Sequence, residues 1–413
     1  MNRNVFDPYL SSMNFLNEAC ILYPDAISFG SGRPKEEFFA VEETIAGIKN
    51  YVCTQSADWQ SALNHYGQYN KTKGIINADI ARLLKKDEGI LVDAEDIIVT
   101  DGAQEAMAIL IDTLFDKEDV LLVSDPSYVG FMGYAKIAGI DIRVVKRTKT
   151  SVDFEDLERV LLQIQQEQKR PRALYEVPNF HNPTGTSMTL PERKHLLEFA
   201  EKYDFFIIED NPYGYFAFDG SRDLPLKAMD DKQRVMYIGS FSKSLFPSIR
   251  LGYLVADQVM QVDGKAVKFI EECKKVKSFI TVNTSALLQL MLAEILRKEE
   301  YSLIDYCKEK VAYCKHNRDV LAQAITDTFD FAKDWEKPAG GFFTTLPIPF
   351  EPTYERIEKA AREYGVIVCP MHMFCIDPKN GAKTLRLSYS YMTPEEIIEG
   401  IRRLDSFIKA EQA

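Results

Sequence analysis

The sequence predicts an α/β fold: a mostly parallel seven-stranded sheet in a large domain, with a smaller α+β domain beside it. Three observations carry this reading. Seven short, continuously apolar runs recur between residues 97 and 256, and such runs suit strands covered on both faces. Longer helical segments alternate with them, the pattern of an α/β sheet. Beyond residue 300, further strand-like runs lie among helices, which fits a smaller mixed domain.

In chain order, residues 1–35 read as an irregular arm with room for one helix. It ends in AISFGSGRP (26–34), where Gly30, Gly32 and Pro34 mark an exposed loop dominated by backbone. A helical pattern covers 41–52, and the polar, turn-rich LNHYGQYNKTKG follows at 63–74. A helix around IINADIARLLKKDEG stops at Gly89. The strand candidates are IIVT (97–100), VLLV (120–123), IRVV (142–145), ALYEV (173–177), FFIIE (205–209), VMYIG (235–239) and LGYLVA (251–256). Helices are expected at 103–115, 127–138, 153–169 and 190–203. Only a short loop separates the last two strands, so one strand is expected to run antiparallel. Residues 257–278 and 284–326 read as long helices, and FFTTLPI (342–348), VIVC (366–369) and TLRLSYS (384–390) as strands. The expected division is 1–60 for the arm and part of the small domain, 61–300 for the large domain and 301–413 for the rest of the small one.

Bulk properties narrow the function. A chain of 413 residues, 46% hydrophobic and 27% charged, has ample material for real cores. Its formal charge of −12 argues against nucleic acid or an anionic membrane as the main partner. Seven scattered cysteines without a CxxC pair suit reduced thiols. Asp7, Pro8, Asn17 and Glu18 interrupt any signal-peptide core, and no run of eighteen apolar residues suggests a membrane span. A cytoplasmic location is the expectation.

Polar motifs follow five of the strands. DGAQEA (101–106), DPSY (125–128), NFHNPTG (179–185), DNPYGY (210–215) and SFSK (240–243) each begin where an apolar run ends. Open α/β sheets bind ligands at the carboxyl ends of their strands. In SFSKSLFPSIRLGY (240–253), Lys243 supplies an amine for covalent attachment, and Ser240, Ser242 and Arg250 supply hydroxyls and a cation for a phosphate. Those are the parts needed to hold pyridoxal 5'-phosphate. Asp210 ends a buried strand, where its charge needs a partner such as a protonated pyridine nitrogen. Tyr213 and Asn182 suit hydrogen bonds to the ring's phenolic oxygen, and Tyr128 suits stacking on the ring. The amides of Gly102, Ala103 and Gln104 open a helix and suit a phosphate, while Arg386 suits a carboxylate. Taken singly, each has a plainer reading: a solvated loop, a helix cap, a turn asparagine, a packed aromatic or a surface ion pair. Histidines 65, 181, 195, 316 and 372 lack metal-ligand spacing, so no metal is assigned.

Together these motifs resemble the class I/II aminotransferases, pyridoxal-phosphate enzymes of fold type I. The resemblance spans nearly the whole chain after the arm. Asn182 to Asp210 is 28 residues (210 − 182), and Asp210 to Lys243 is 33 (243 − 210). DNPYG and SFSKSLFPSIRLGY are most similar to the aminoadipate and kynurenine aminotransferase branch.

The resemblance implies that Lys243 anchors the cofactor and shuttles the proton, Asp210 pairs with the pyridinium, and Tyr128 stacks on it. It implies that Tyr213 and Asn182 hold the phenolic oxygen. It implies that the phosphate lies among Ser240, Ser242, Arg250 and the amides of 102–104, and that Arg386 takes the substrate α-carboxylate. Tyr66 resembles the tyrosine that reaches the phosphate from a neighbouring subunit, implying a homodimer with shared active sites. Amino acids and 2-oxo acids are the implied partners, exchanged in a ping-pong cycle.

Two departures stand out. Ala103 replaces a common serine, and Arg33, beside Gly32, occupies a loop that usually lines the substrate side-chain pocket. Arg33 is therefore expected to favour an acidic or hydrogen-bonding side chain, against the plainer reading of an outward-pointing arginine. The runner-up function is a lyase, cyclase or other specialised biosynthetic enzyme on the same fold and cofactor. A non-catalytic regulator stands third, since the chain has no room for the DNA-binding domain such regulators carry.

Overall fold

The computed structural model describes residues 3–55, 71–332 and 335–412. Its centre is a seven-stranded sheet. The strands are β1 (Ile97–Thr100), β2 (Asp119–Asp125), β3 (Asp141–Lys146), β4 (Arg170–Glu176), β5 (Phe206–Asp210), β6 (Val235–Ser240) and β7 (Gly252–Val255). Their order across the sheet is β1-β7-β6-β5-β4-β2-β3. All pairs are parallel except those of β7, which runs antiparallel to both β1 and β6.

Helices cover both faces, which explains the unbroken apolar runs. Val120 and Leu122 of β2 pack into one core with Leu157, Leu161 and Ile164 of the helix Phe154–Gln166. The alternate residues Leu121 and Val123 face Phe131 and Met132 on the other side. Local signals fix the helix ends. Asp153 caps its helix by accepting from the amides of Glu155 and Asp156, and Thr189 and Glu192 form a reciprocal capping box. Gly89 closes the helical segment 77–88 in the left-handed conformation.

A second, antiparallel sheet comprises β8 (Phe343–Pro347), β9 (Cys369–Pro370) and β10 (Thr384–Ser388), in the order β8-β10-β9. The N-terminal arm joins this region. Ile27–Ser28 pairs in parallel with Val366–Ile367, and Phe29 bonds to both Ile367 and Ser388 through its backbone.

The expected long helices are shorter. Residues 259–268 form a hairpin, Val259–Val262 against Lys265–Lys268, and the helix starts only at Phe269. Asp263 and Gly264 turn the chain with positive φ at both positions, a hairpin signal that outweighs the helical pattern around it. The second stretch splits into Ala286–Lys298 and Lys308–Thr328. Between them Glu300 and Tyr301 adopt positive φ, and the amide of Leu303 donates to the Asp87 carboxylate, drawing the chain into the core.

Candidate active site

The carboxyl ends of β1, β4, β5 and β6 open on a cavity of about 360 Å³ whose wall reaches across to Phe343 of β8 and Arg386 of β10. β6 delivers Ser240, whose hydroxyl accepts from the Ser242 amide at 3.3 Å and so caps the four-residue turn Phe241–Ser244. Lys243 lies on that turn and faces the cavity, its Nζ donating to the Gly32 carbonyl at 2.6 Å. Burial lowers its pKa to about 8, and the guanidinium groups of Arg386 and Arg250 act in the same direction; Asp210 partly opposes them.

Asp210 ends β5, buried. On the neighbouring β4, Tyr175 donates to its Oδ2 at 2.8 Å, and the Tyr175 ring stacks on Phe131 with 4.0 Å between centroids. The other carboxylate oxygen, Oδ1, is buried without a partner. Burial raises the Asp210 pKa to about 7, opposed by the Tyr175 hydrogen bond and the Lys243 charge. A buried acceptor left open in a cavity wall fits a protonated ring nitrogen.

Tyr213 and Asn182 are both buried in the same wall, and burial pushes the Tyr213 phenol well up. The Asn182 Oδ1 accepts from Arg386 Nη1 at 3.0 Å, which leaves the amide's N–H end to donate. Tyr128 lies close over Gly130, where a Cβ would come within 2.6 Å of its ring. Burial pushes its hydroxyl up to about 12.

The opposite end of the cavity suits a phosphate. Gly102 has φ +75°, and a Cβ there would lie 2.5 Å from Arg250 Nη2, so glycine lets the guanidinium close on the turn. Gly102 precedes the twelve-residue helix Ala103–Leu114 and provides no side-chain cap, leaving first-turn amides for an anion. Arg250 Nη1 donates to the Ser242 hydroxyl at 3.4 Å. The Gln104 side chain is occupied, donating to the Gly130 carbonyl at 2.9 Å. Behind the turn, Glu105 accepts from the Asp101 amide at 2.6 Å and pairs with buried Lys277 at 2.9 Å.

Arg386 lies between the rings of Phe343 and Phe374, 4.3 and 4.6 Å from their centroids. Its Nη2 donates to the Gly30 carbonyl at 2.6 Å, while Nε is buried and unpaired. Gly32 sits against the Phe343 ring, 2.3 Å from where a Cβ would be.

Of the residues singled out in the sequence, Gly32, Ala103, Gln104, Tyr128, Asn182, Asp210, Tyr213, Ser240, Ser242, Lys243, Arg250 and Arg386 line this one cavity, with Gly102 immediately behind Arg250. Arg33 does not join them. Its side chain is exposed, paired with Glu36 at 3.1 Å and resting 4.1 Å over the Tyr391 ring. Tyr66 lies outside the described residues. Sequence reading missed Tyr175, Phe343, Phe374 and the carbonyls of Gly30 and Gly32. Tyr175 and Phe343 fall within predicted strands, but only strand register shows which neighbours they meet.

A family model, Aminotransferase class I and II, matches residues 24–404. The chain belongs to that family. It is 42% identical over 99% of its length to (S)-3,5-dihydroxyphenylglycine transaminase of Amycolatopsis orientalis, covering 94% of that protein. It is 29% identical over 94% of its length to 2-aminoadipate transaminase of Thermus thermophilus, covering 91%. Among solved structures, kynurenine aminotransferase of Pyrococcus horikoshii, in complex with PMP and with KYN and KYA as substrates and products, superposes with a TM-score of 0.83. That match has 28% identity and covers 96% of this chain and 95% of the other. As a member, it is a pyridoxal-phosphate-dependent aminotransferase, transferring an amino group between an amino acid and a 2-oxo acid.

Proposed function

We propose that the cavity holds pyridoxal phosphate with its ring nitrogen on Asp210 Oδ1, its phosphate between Arg250 and the 102–104 turn, and its aldehyde at Lys243. The amino donor is then an aromatic L-amino acid held by its α-carboxylate on Arg386. The unpartnered Oδ1 of Asp210, in the same wall as Lys243, is the observation that carries the cofactor assignment. When bound, the cofactor supplies an aldehyde for amino groups and a ring that accepts electrons.

The protein's own groups then divide the work. Asp210 keeps the ring nitrogen protonated. Lys243, with a pKa of about 8, is a usable nucleophile and base near neutral pH and, with the cofactor bound, would carry the substrate's α-proton. Tyr213 and the Asn182 amide orient the phenolic oxygen, and Tyr128 covers one ring face. Ser240 and Ser242 add hydroxyls to the phosphate end. Arg386 Nε, buried and without a partner, is the donor that would meet the substrate α-carboxylate, since Nη1 and Nη2 already donate to Asn182 and Gly30.

The substrate class follows from which cations the wall supplies. Its arginines and lysines, among the described residues, are Lys243, Arg250 and Arg386, and each has a partner in this scheme. With Arg33 turned outward, no cation among the described residues of this wall remains for a second carboxylate, and a neutral aromatic side chain against Phe343 suits these residues better than an acidic one. The dihydroxyphenylglycine and kynurenine enzymes among the relatives support this choice. Homodimer formation, with Tyr66 completing the neighbouring site, and a cytoplasmic location belong to the same reading. The helix-end residues Phe279, Ile280, Val282 and Leu287 are exposed apolar groups that a second copy would cover.

The test is a half-reaction panel without acceptor, following the cofactor spectrum and the products. L-phenylalanine and aryl glycines are expected to convert the cofactor to its amino form, with release of the matching 2-oxo acid, faster than L-2-aminoadipate does. Preference for aminoadipate would refute the substrate class, and ammonia release with the cofactor unchanged would favour elimination.

A further inference from the structure

The helix Lys308–Thr328 carries in its first turn a residue that local forces disfavour. Lys310 is 3% exposed, at the helix end whose partial positive charge repels a cation. No carboxylate pairs with it among the described residues. Its ammonium donates instead to the carbonyls of Ser244 and Leu245, the latter at 3.0 Å, and sits 4.5 Å from the centre of the Tyr306 ring. A buried ammonium without a counter-ion is costly, and an apolar side chain of similar length would avoid that cost. Departures of this kind from local preference mark sites that serve something else.

The two carbonyls lie at the end of the turn that carries Lys243. That turn, Phe241–Ser244, is only four residues long, closed by one backbone bond from Leu245 to Phe241 and by the Ser240 cap. Leu245 then leaves at φ −99°, ψ −92°, away from both helix and strand geometry. So short a turn does not fix its own carbonyl end. Lys310 does, and the Cys307 thiol adds a weak contact to the same Ser244 carbonyl at 3.5 Å. Lys310 does not line the cavity, so it meets neither cofactor nor substrate.

We propose that Lys310 is a positioning residue for the reactive lysine: its ammonium clamps the Ser244 and Leu245 carbonyls and so fixes the turn from which Lys243 enters the cavity. This rests on reading Lys243 as the residue that binds the cofactor.

The experiment is covalent capture of pyridoxal phosphate by cofactor-free protein, followed by absorbance, with thermal unfolding measured alongside. Lys310→Met is expected to slow capture about tenfold, as misplacement of a reacting group does. The loss should exceed any change in the folded fraction read from the melting curve. Lys310→Arg, which returns charge and donors, should recover most of the rate. Parental capture in Lys310→Met would overturn the proposal, as would a loss that tracks only the unfolded fraction. If the Met variant does not fold, Lys310→Gln gives the same reading: slowed capture supports the clamp and parental capture removes it. Lys243→Ala separates the two possible failures. Continued covalent capture there removes the reading of Lys243 and the proposal with it, whereas parental capture in the Lys310 variants alone removes only the proposal.

Discussion

Asp210 shows how a single side chain can be destabilising for the empty protein and suited to the loaded one. Its carboxyl pKa is raised from an ordinary 3.8 to about 7 by burial, so the cofactor-free fold binds a proton that the unfolded chain releases. Ionisation therefore destabilises the fold, fully above about pH 7 and not at all below 3.8. Asp210→Asn keeps an acceptor for Tyr175 and removes that penalty. It should raise the melting temperature of cofactor-free protein above pH 7, by an effect on the order of a few kcal/mol. The gain should fade as the pH falls towards 4 and be accompanied by loss of amino transfer; a gain independent of pH would count against a buried, ionising Asp210.

Tyr175→Phe acts on the same carboxylate from the other side. Losing one hydrogen bond to a charged acceptor is worth about 1.5–3 kcal/mol, so cofactor affinity, measured by equilibrium titration, should fall at least about tenfold. Asp210 itself was readable from the sequence, because a carboxylate at the end of an apolar run requires a partner. Tyr175 was not, because it reads as one more apolar strand residue until β4 and β5 are placed side by side. Arg33 shows the opposite failure. A loop position suggests proximity to the substrate, but the side chain's direction follows from Glu36 and Tyr391, which a motif does not encode.

At the scale of elements, the main-sheet strands were legible because burial on both faces leaves little choice but apolar residues, and each of their predicted runs coincides with a strand to within a few residues, whereas VIVC (366–369) divides between two short strands, Val366–Ile367 and Cys369–Pro370. The Val259–Lys268 hairpin was not legible as read, because its apolar positions also satisfy a helical pattern; Asp263-Gly264 was the deciding signal. The turn at 101–104 depends on a backbone conformation as much as on side chains. Gly102→Ala imposes a strained φ and brings a methyl against Arg250. It should weaken cofactor binding about tenfold or more, from a distorted phosphate end, while affinity for pyridoxal without phosphate changes little. Equal losses for both ligands would show that the turn does not serve the phosphate.

On the scale of the whole molecule, the site is a meeting of distant parts of one chain. Gly30 and Gly32 come from the arm, Asp210 and Lys243 from the main sheet, and Arg386 from the second sheet. The order of motifs along the sequence revealed the main-sheet members, since each follows its strand. The arm's contribution through carbonyl oxygens left no trace in side-chain identity. The proposed homodimer would extend this logic across subunits. Phe279, 93% exposed, should lie in the contact, so Phe279→Asp is expected to shift the protein towards monomer in sedimentation and to lower cofactor affinity in proportion. A variant that stays dimeric with unchanged affinity would place the interface elsewhere.

Borohydride reduction of the loaded protein, with the modified peptide mapped by mass spectrometry, reads out whether Lys243 is the amine holding the cofactor in this cavity. One phosphopyridoxyl group per chain is expected, on Lys243, and none in Lys243→Ala. A label on another lysine, or undiminished labelling in that variant, would contradict that assignment.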